Sequence, residues 1–113
     1  MSYQVEEYVR EDGSCPYAKW FNHLPAQHAA KVVTAKVRMQ QGNLSNVKWF
    51  RGIGEYKIDF GPGFRIYIGK DGEHLIILLA GGTKKTQQGD INKALSLWDE
   101  YKTRKAKMRN RKE

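Results

Sequence analysis

The sequence predicts a single α+β domain in which helices pack on an antiparallel sheet. Three observations support this prediction. Apolar residues at helical spacing follow Pro16 and Pro25, segments with strand alternation follow one another from residue 46 to residue 80, and a third helical pattern comes after Gly81-Gly82. The predicted order of elements is β-α-α-β-β-β-α, which counts three strands after the second helix.

The composition is that of a soluble globular protein. The 113 residues suffice for one core, and 40% of them are hydrophobic and 28% charged. The longest apolar run, Leu75–Ala80, is too short to cross a bilayer, and the acidic N-terminus does not resemble a signal peptide. The single cysteine, Cys15, cannot form an internal disulfide, which favours the cytoplasm. Because His23, His28 and His74 lack metal-ligand spacing, we expect no metal and no cofactor.

The first half of the chain predicts a strand and two helices. Ser2–Val9 has strand composition, and Pro16 suits the first turn of a helix. Pro25 starts a second helix, which ends at Gln41-Gly42-Asn43. On this second helix we expect a stripe of small residues to face the protein core, namely Ala26, Ala29, Ala30, Val33 and Val37.

The second half predicts the sheet. Asn46–Ile53 has a strand-like pattern, and Glu55–Phe60 and Phe64–Lys70 form a hairpin around Gly61-Pro62-Gly63. His74–Ala80 is apolar on both faces, as expected for a central strand that is covered on each side.

A final helix follows the sheet and is capped by Thr86 or a neighbour. Its predicted buried stripe is Ile91, Ala94, Leu95, Trp98 and Tyr101. We also expect the other two tryptophans, Trp20 and Trp49, to pack in the core.

The predicted hairpin has one apolar face and one polar face. Closing the strands on a three-residue turn pairs Phe60 with Phe64, which places Asp59 opposite Arg65 and Lys57 opposite Tyr67. A sheet face with cations, carboxylates and a phenol suits the handling of phosphates. The alternative is a solvated face with an Asp59–Arg65 pair of little energetic weight. The polar face consists of Glu55, Lys57, Asp59, Arg65 and Tyr67.

The net charge of +8 is unevenly distributed. Residues 102–113 hold seven Lys or Arg and one Glu, whereas residues 13–54 hold six Lys or Arg and no acid. A long acid-free stretch joined to a polybasic tail favours a polyanionic partner, with nucleic acid as the first candidate. A tail that only improves solubility remains the alternative.

Several short motifs occur together in a fixed order. They are Trp20-Phe21-x-x-Leu24, Gly42-Asn43, Glu55-Tyr56-Lys57-Ile58, Phe60-Gly61-Pro62-Gly63-Phe64-Arg65-Ile66-Tyr67, the run Leu78 to Gln87, and Asp90-Ile91. With these motifs the chain resembles the RelE/ParE superfamily of type II toxins, in particular the HigB-like branch named "addiction module killer protein". The resemblance spans roughly residues 16–100. We therefore divide the chain into a toxin domain, 1–101, and a polybasic tail, 102–113.

The resemblance implies a toxin that is paired with an antitoxin protein. We expect the antitoxin to carry a helix-turn-helix, and we expect the toxin to contact operator DNA only through the antitoxin. The resemblance further implies a ribosome-dependent mRNA endonuclease, in which basic side chains promote attack of the 2′-hydroxyl on the adjacent phosphate without a metal. Two alternatives stay open. One is a ParE-like inhibitor of DNA gyrase that acts by binding, and the other is a non-toxic RNA-binding relative.

The resemblance also assigns roles to individual residues. Lys57, Arg65 and Lys84 correspond to the basic residues of the family's site, and Glu55 is the rival of Lys57 as general base. The chain departs from the RelE pattern at two positions, since Asp59 stands where that pattern has a strand lysine and Ile91 stands where it has a tyrosine. The residues that we expect to contact mRNA or the ribosome are Lys48, Arg51, Tyr67, Lys85, Lys102, Arg104, Lys105, Lys107 and Arg109.

Overall fold

The computed structural model describes residues 2–111, which form one five-stranded sheet and three α-helices. The α+β class is thereby confirmed. In chain order the elements are β1 (Gln4–Glu7), α1 (Pro16–Asn22), α2 (Ala26–Gln40), β2 (Val47–Phe50), β3 (Ile53–Ile58), β4 (Phe64–Asp71), β5 (Leu75–Thr83), a 3-10 turn (Lys84–Thr86) and α3 (Gln87–Arg111). Within this described part, no helix combines the length and apolar character that a membrane span requires.

The sheet is mixed, which corrects the prediction of an antiparallel one. Its strands lie in the order β1-β5-β4-β3-β2, and all neighbours are antiparallel except β1 and β5, which run parallel. The predicted pattern gives the strand β5 two covered faces, and the structure confirms this. The sequence pattern does not show the direction of the short edge strand β1, because a parallel strand and an antiparallel strand would bury the same residues.

A tight turn that the sequence analysis missed separates β2 from β3. Arg51 and Gly52 both have positive φ, at 53° and 89°, and Phe50 pairs directly with Ile53. Two central residues with positive φ are the hallmark of a type I′ hairpin. There are therefore four strands after α2, which agrees with the four predicted strand segments and shows that the predicted element order counted one strand too few.

The register of the β3–β4 hairpin differs from the predicted one by two residues. Ile58 pairs with Phe64, so Lys57 lies opposite Arg65 and Glu55 opposite Tyr67. The loop is longer than predicted because Phe60 leaves the strand and its ring packs against His28 of α2. A shift of two residues keeps every side chain on its predicted face, so the division into two faces holds.

Helices cover both faces of the sheet. One core lies between the sheet and α1 and α2, and the other lies between the sheet and α3. The predicted inner stripe of α2 is wrong, because Val33 and Val37 are exposed and the buried residues are Val32, Ala35 and Met39. The buried stripe is offset by one position around the helix from the predicted one. Because both stripes consist of Ala, Val or Met, composition alone does not show which of them faces the core.

Two of the three tryptophans follow the prediction of core packing, and Trp49 does not. Trp98 is buried over Gly69, where an added Cβ would overlap its ring, and Trp20 packs partly buried over Gly81. Trp49 is 45% exposed on the edge strand β2, which corrects its placement in the core. An edge strand has a neighbour on one side only, so its side chains are covered less completely.

Candidate active site

Three predicted cations meet at one end of the sheet. Lys57 of β3 lies directly opposite Arg65 of β4, and Arg65 in turn lies opposite Gly82 of β5. Lys84 follows at the end of β5, where Phe64 pairs with Thr83. Cross-strand pairs lie about 5 Å apart, so this row brings two of the predicted phosphate-binding side chains into contact range.

The carbonyl of Gly63 connects Arg65 to Lys84. It accepts a hydrogen bond from Arg65 Nη1 at 2.7 Å and another from the backbone N–H of Lys84 at 2.9 Å. Gly81 and Gly82 belong to β5, so Lys84 directly follows a strand. Lys84 is therefore held at a fixed position beside the hairpin loop, with its side chain exposed.

Glu55 occupies the next row inward and is buried. Its Oε2 accepts hydrogen bonds from the Tyr67 hydroxyl at 3.0 Å and from Gln87 Nε2 at 2.8 Å, and Arg65 Nε lies 3.8 Å away. Burial, followed by the bond to the Glu55 carboxylate, raises the pKa of Tyr67 well above its usual range. Glu55 therefore accepts bonds from both the sheet and α3.

The polar face of the hairpin is covered by α3, which corrects the prediction of a solvated surface. Arg65 is 5% exposed and Glu55 7% exposed. Tyr67 is fully buried, so its ring is closed to the predicted contact with RNA. Lys57 and Asp59, at the hairpin end of the same face, remain exposed, and Asp59 does not pair with Arg65. The face was predicted as solvated because an alternating strand shows which residues share a side but not what covers them.

Arg65 has an unusual hydrogen-bonding state. Among the described residues, its Nε is the one buried side-chain nitrogen or oxygen without a hydrogen-bond partner, since the 3.8 Å separation from Glu55 is too long for a bond. Such a group costs stability unless something satisfies it. Arg65 is thus a buried cation whose donors are not all used.

The start of α3 adds residues that the sequence analysis did not single out as functional. Thr83 and Thr86 form a reciprocal capping box, and the Thr86 hydroxyl donates to the Asp90 carboxylate. The Asp90 carboxylate lies over Gly82, where any Cβ would collide with it. Gln87 bonds Glu55 from the first turn of α3. The motif Thr83-x-x-Thr86 was a usable signal for this cap.

The remaining predicted RNA contacts fall into two separate regions. Lys48 lies opposite Glu55 on the edge strand, and Lys85 adjoins Lys84, so both surround the site. Arg51 lies in the turn before the other end of β3, and the four strand steps from Ile53 to Lys57 alone span about 13 Å at 3.3 Å per residue. At 1.5 Å per residue, α3 carries Lys105 about 27 Å away from Gln87.

The polybasic tail is helical as far as the structure describes it. Arg104 donates to the Val9 carbonyl at 2.9 Å and to the Tyr8 hydroxyl, and Lys105 pairs with Asp71 at 2.6 Å. These two tail cations are therefore docked on the domain. Four of the predicted tail contacts are exposed: Lys102, Lys105, Lys107 and Arg109. Of these, Lys105 pairs with Asp71, and Lys102 lies 3.7 Å from Asp99.

Comparison with known proteins gives one relative. The chain is similar to an uncharacterized protein of Haemophilus influenzae, with 37% identity over 86 residues. The match covers 74% of this chain and 87% of the Haemophilus protein. No protein-family model matches the chain, and no solved structure matches it.

Proposed function

The chain belongs to the same family as the Haemophilus influenzae protein, and we propose that it is an endoribonuclease of the RelE/ParE type. In this proposal it is the toxin of a type II toxin–antitoxin system and cleaves mRNA on the ribosome. The observation that supports the proposal most is the meeting of Lys57, Arg65 and Lys84 at one end of the sheet, around the carbonyl of Gly63. The element order is compatible with a RelE-like topology.

The reaction needs a proton acceptor, a stabiliser of negative charge and a proton donor. The 2′-oxygen forms a bond to the phosphorus and the bond from phosphorus to the 5′-oxygen breaks, which gives a cyclic phosphate and a 5′-hydroxyl. In this proposal Lys57 is the acceptor of the 2′-hydroxyl proton, and Lys84 gives a proton to the 5′-oxygen. Arg65 stabilises the phosphorane charge, which its planar guanidinium suits because it stays protonated.

Glu55 holds Arg65 in this scheme and does not take the proton. Its carboxylate oxygen already accepts bonds from Tyr67 and Gln87 and lies beside Arg65, away from the exposed Lys57. RNA approaches from the open side, where Lys57 and Lys84 are exposed. The buried Arg65 acts on the phosphate through its charge, since its unused donor, Nε, has almost no exposed surface.

The proposed partners follow from the same assignment. The ribosome and mRNA supply the substrate, in the cytoplasm. A cognate antitoxin with a helix-turn-helix masks the exposed cations and alone binds operator DNA. An acidic antitoxin segment complements Lys57 and Lys84. Hydrogen exchange on the complex tests this, with slower exchange expected across residues 55–70 or 84–101, and unchanged exchange in both regions would contradict it.

Inhibition of DNA gyrase by binding is the second candidate. The burial of Arg65 beneath α3 favours it, because an inhibitor that acts by binding needs no accessible catalytic arginine. The two functions differ in what accumulates in the cell. Gyrase poisoning leaves broken DNA, whereas the proposed endonuclease leaves mRNA fragments.

Mapping the 5′ ends of mRNA after brief expression tests the proposal. We expect new ends within translated regions that appear with the wild type and vanish with the double variant Lys57→Ala/Lys84→Ala. The double variant Lys19→Ala/Lys93→Ala removes the same charge from exposed positions of α1 and α3 and serves as the control. Growth arrest without new mRNA ends, together with broken DNA, would favour gyrase instead.

A further inference from the structure

A second basic site lies on the opposite side of strand β3. A cavity of about 440 Å³ opens between α2 and the end of β3, at the sheet edge that β2 leaves free. Strand β2 begins only at Val47, so beyond Tyr56 the edge of β3 has one backbone contact, from Lys57 N–H to the Asn46 carbonyl at 3.5 Å. This gap in edge coverage creates the cavity.

The cavity carries an excess of positive charge. Lys31 and Arg38 reach it from α2 and Lys57 from β3, against a single carboxylate, that of Asp59. Within the described part of the chain, none of the four takes part in an ion pair within 4.0 Å. Three cations that converge without neutralising partners attract an anion, because their mutual repulsion falls when a negative group enters.

Neutral donors complete the lining. The Tyr56 side chain is buried, but its hydroxyl lies at the cavity and accepts a long contact from Asn46 Nδ2 at 3.5 Å. In the described residues this hydroxyl makes no bond as a donor, so its hydrogen is free for a ligand. A phosphate oxygen accepts bonds from ammonium, guanidinium and hydroxyl groups alike.

We propose that this cavity binds a backbone phosphate of the RNA chain, one that flanks the phosphate to be cleaved. The inference rests on the proposed function for its choice of RNA. Lys57 joins the two sites, since it lines the cavity and also lies opposite Arg65. A strand held at two successive phosphates is fixed in position and direction at the cleavage site.

Binding of a short RNA tests the proposal without any cleavage. The probe is a fluorescently labelled single-stranded RNA hexanucleotide with a 2′-O-methyl group on every sugar, so that it cannot be cut, and its binding is measured by fluorescence polarisation at constant salt. Lys31→Ala and Arg38→Ala are each expected to weaken binding about tenfold, the loss typical of one charge-assisted hydrogen bond. Both side chains are exposed on α2, so the variants keep the core.

Two further variants sharpen the result. Lys36→Ala removes the same charge from the same helix but outside the cavity, and it is expected to change the affinity less than threefold. Asp59→Asn removes the one carboxylate of the cavity and is expected to tighten binding. Equal weakening by Lys36→Ala and Lys31→Ala, or no weakening by Lys31→Ala and Arg38→Ala, would overturn the site.

The outcomes separate this inference from the proposed function. If the hexanucleotide binds through Lys31 and Arg38 while the wild type cuts no mRNA, the phosphate site stands and the endonuclease assignment fails. If cleavage occurs but Lys31→Ala and Arg38→Ala leave both affinity and cleavage unchanged, the site fails and the function stands. A mononucleotide, adenosine 5′-monophosphate, that binds as tightly as the hexanucleotide would overturn the assignment to an RNA chain.

Discussion

Arg65 Nε lies 3.8 Å from Glu55 Oε2 in the buried layer between the sheet and α3, with only 6% and 9% of the two side chains exposed. The two charges are close enough to attract each other but too far apart for a hydrogen bond. The arginine is therefore both a part of the fold and a part of the proposed site. Its substitution has to be interpreted with stability and activity measured together.

Arg65→Ala is expected to destabilise the protein as well as to remove activity. The substitution leaves the Glu55 carboxylate buried without its cation, and breaking such a pair typically costs about 3–5 kcal/mol. Urea unfolding measures this change. The matched variant is Glu55→Gln/Arg65→Met, which removes both charges and keeps the volume, and it should recover part of the loss. A double variant less stable than Arg65→Ala would contradict a buried ion pair.

Gly82→Ala tests how α3 is docked at the site. The new methyl group would collide with the Asp90 carboxylate, so we expect a loss of about 1–3 kcal/mol, as for other overpacked positions. Adding Asp90→Ala removes the obstacle and should restore part of the stability. Thermal unfolding of the wild type, of Gly82→Ala and of Gly82→Ala/Asp90→Ala checks this. The control is Gly89→Ala, whose new methyl group would lie in open space. Gly72→Ala is unsuitable as a control because Gly72 has positive φ.

The ion pair between Asp71 and Lys105 predicts a loss of stability in acid. The hydrogen bond from Lys105, and then the one from Tyr101, lowers the pKa of Asp71. A carboxylate with a lowered pKa in the folded state stabilises the fold above its unfolded value, about pH 3.9, and loses that contribution as pH falls through the lower folded value. Unfolding temperatures of wild type and Asp71→Asn should therefore converge as the pH falls below the unfolded value. A constant difference at all pH values would contradict this.

Truncation of the tail should reduce ribosome affinity without slowing the chemical step. Deleting residues 107–113 removes exposed cations and leaves the docked Arg104 and Lys105 in place. Each phosphate contact contributes roughly 0.7–0.9 to the dependence of log affinity on log salt, so the truncated protein should show a shallower slope. Deleting 104–113 should also lower stability. Equal salt slopes for the full and truncated proteins would limit the tail to a role in solubility.

The sequence predicts the elements of this fold better than their mutual arrangement. Strand alternation placed Glu55, Arg65 and Tyr67 on one face, and helical spacing identified most of the buried stripe of α3. The sequence does not predict which helix packs on which face of the sheet, because periodicity does not show that α3 covers the polar side of the hairpin. The burial of Arg65 follows from that packing alone.

The site was predictable where it depends on positions along neighbouring strands. Lys57, Arg65 and Lys84 were all identified before the structure, although the predicted partner of Arg65 was Asp59 instead of Lys57. The second basic cavity was not predictable, since it joins Lys31 and Arg38 of α2 to a free sheet edge. Such a site depends on where β2 starts, and the ends of elements are poorly marked in sequence.

Single-turnover cleavage of ribosome-bound mRNA by the purified protein tests the central claim most directly. The account predicts that Lys57→Ala and Lys84→Ala each slow cleavage about 10²–10³-fold at saturating ribosome, as expected when a group acting on the transition state is lost. Both side chains are exposed, so stability should change by less than about 0.5 kcal/mol, as it should for the control Lys93→Ala. Wild-type rates in both folded variants, or no cleavage by the wild type, would contradict the account.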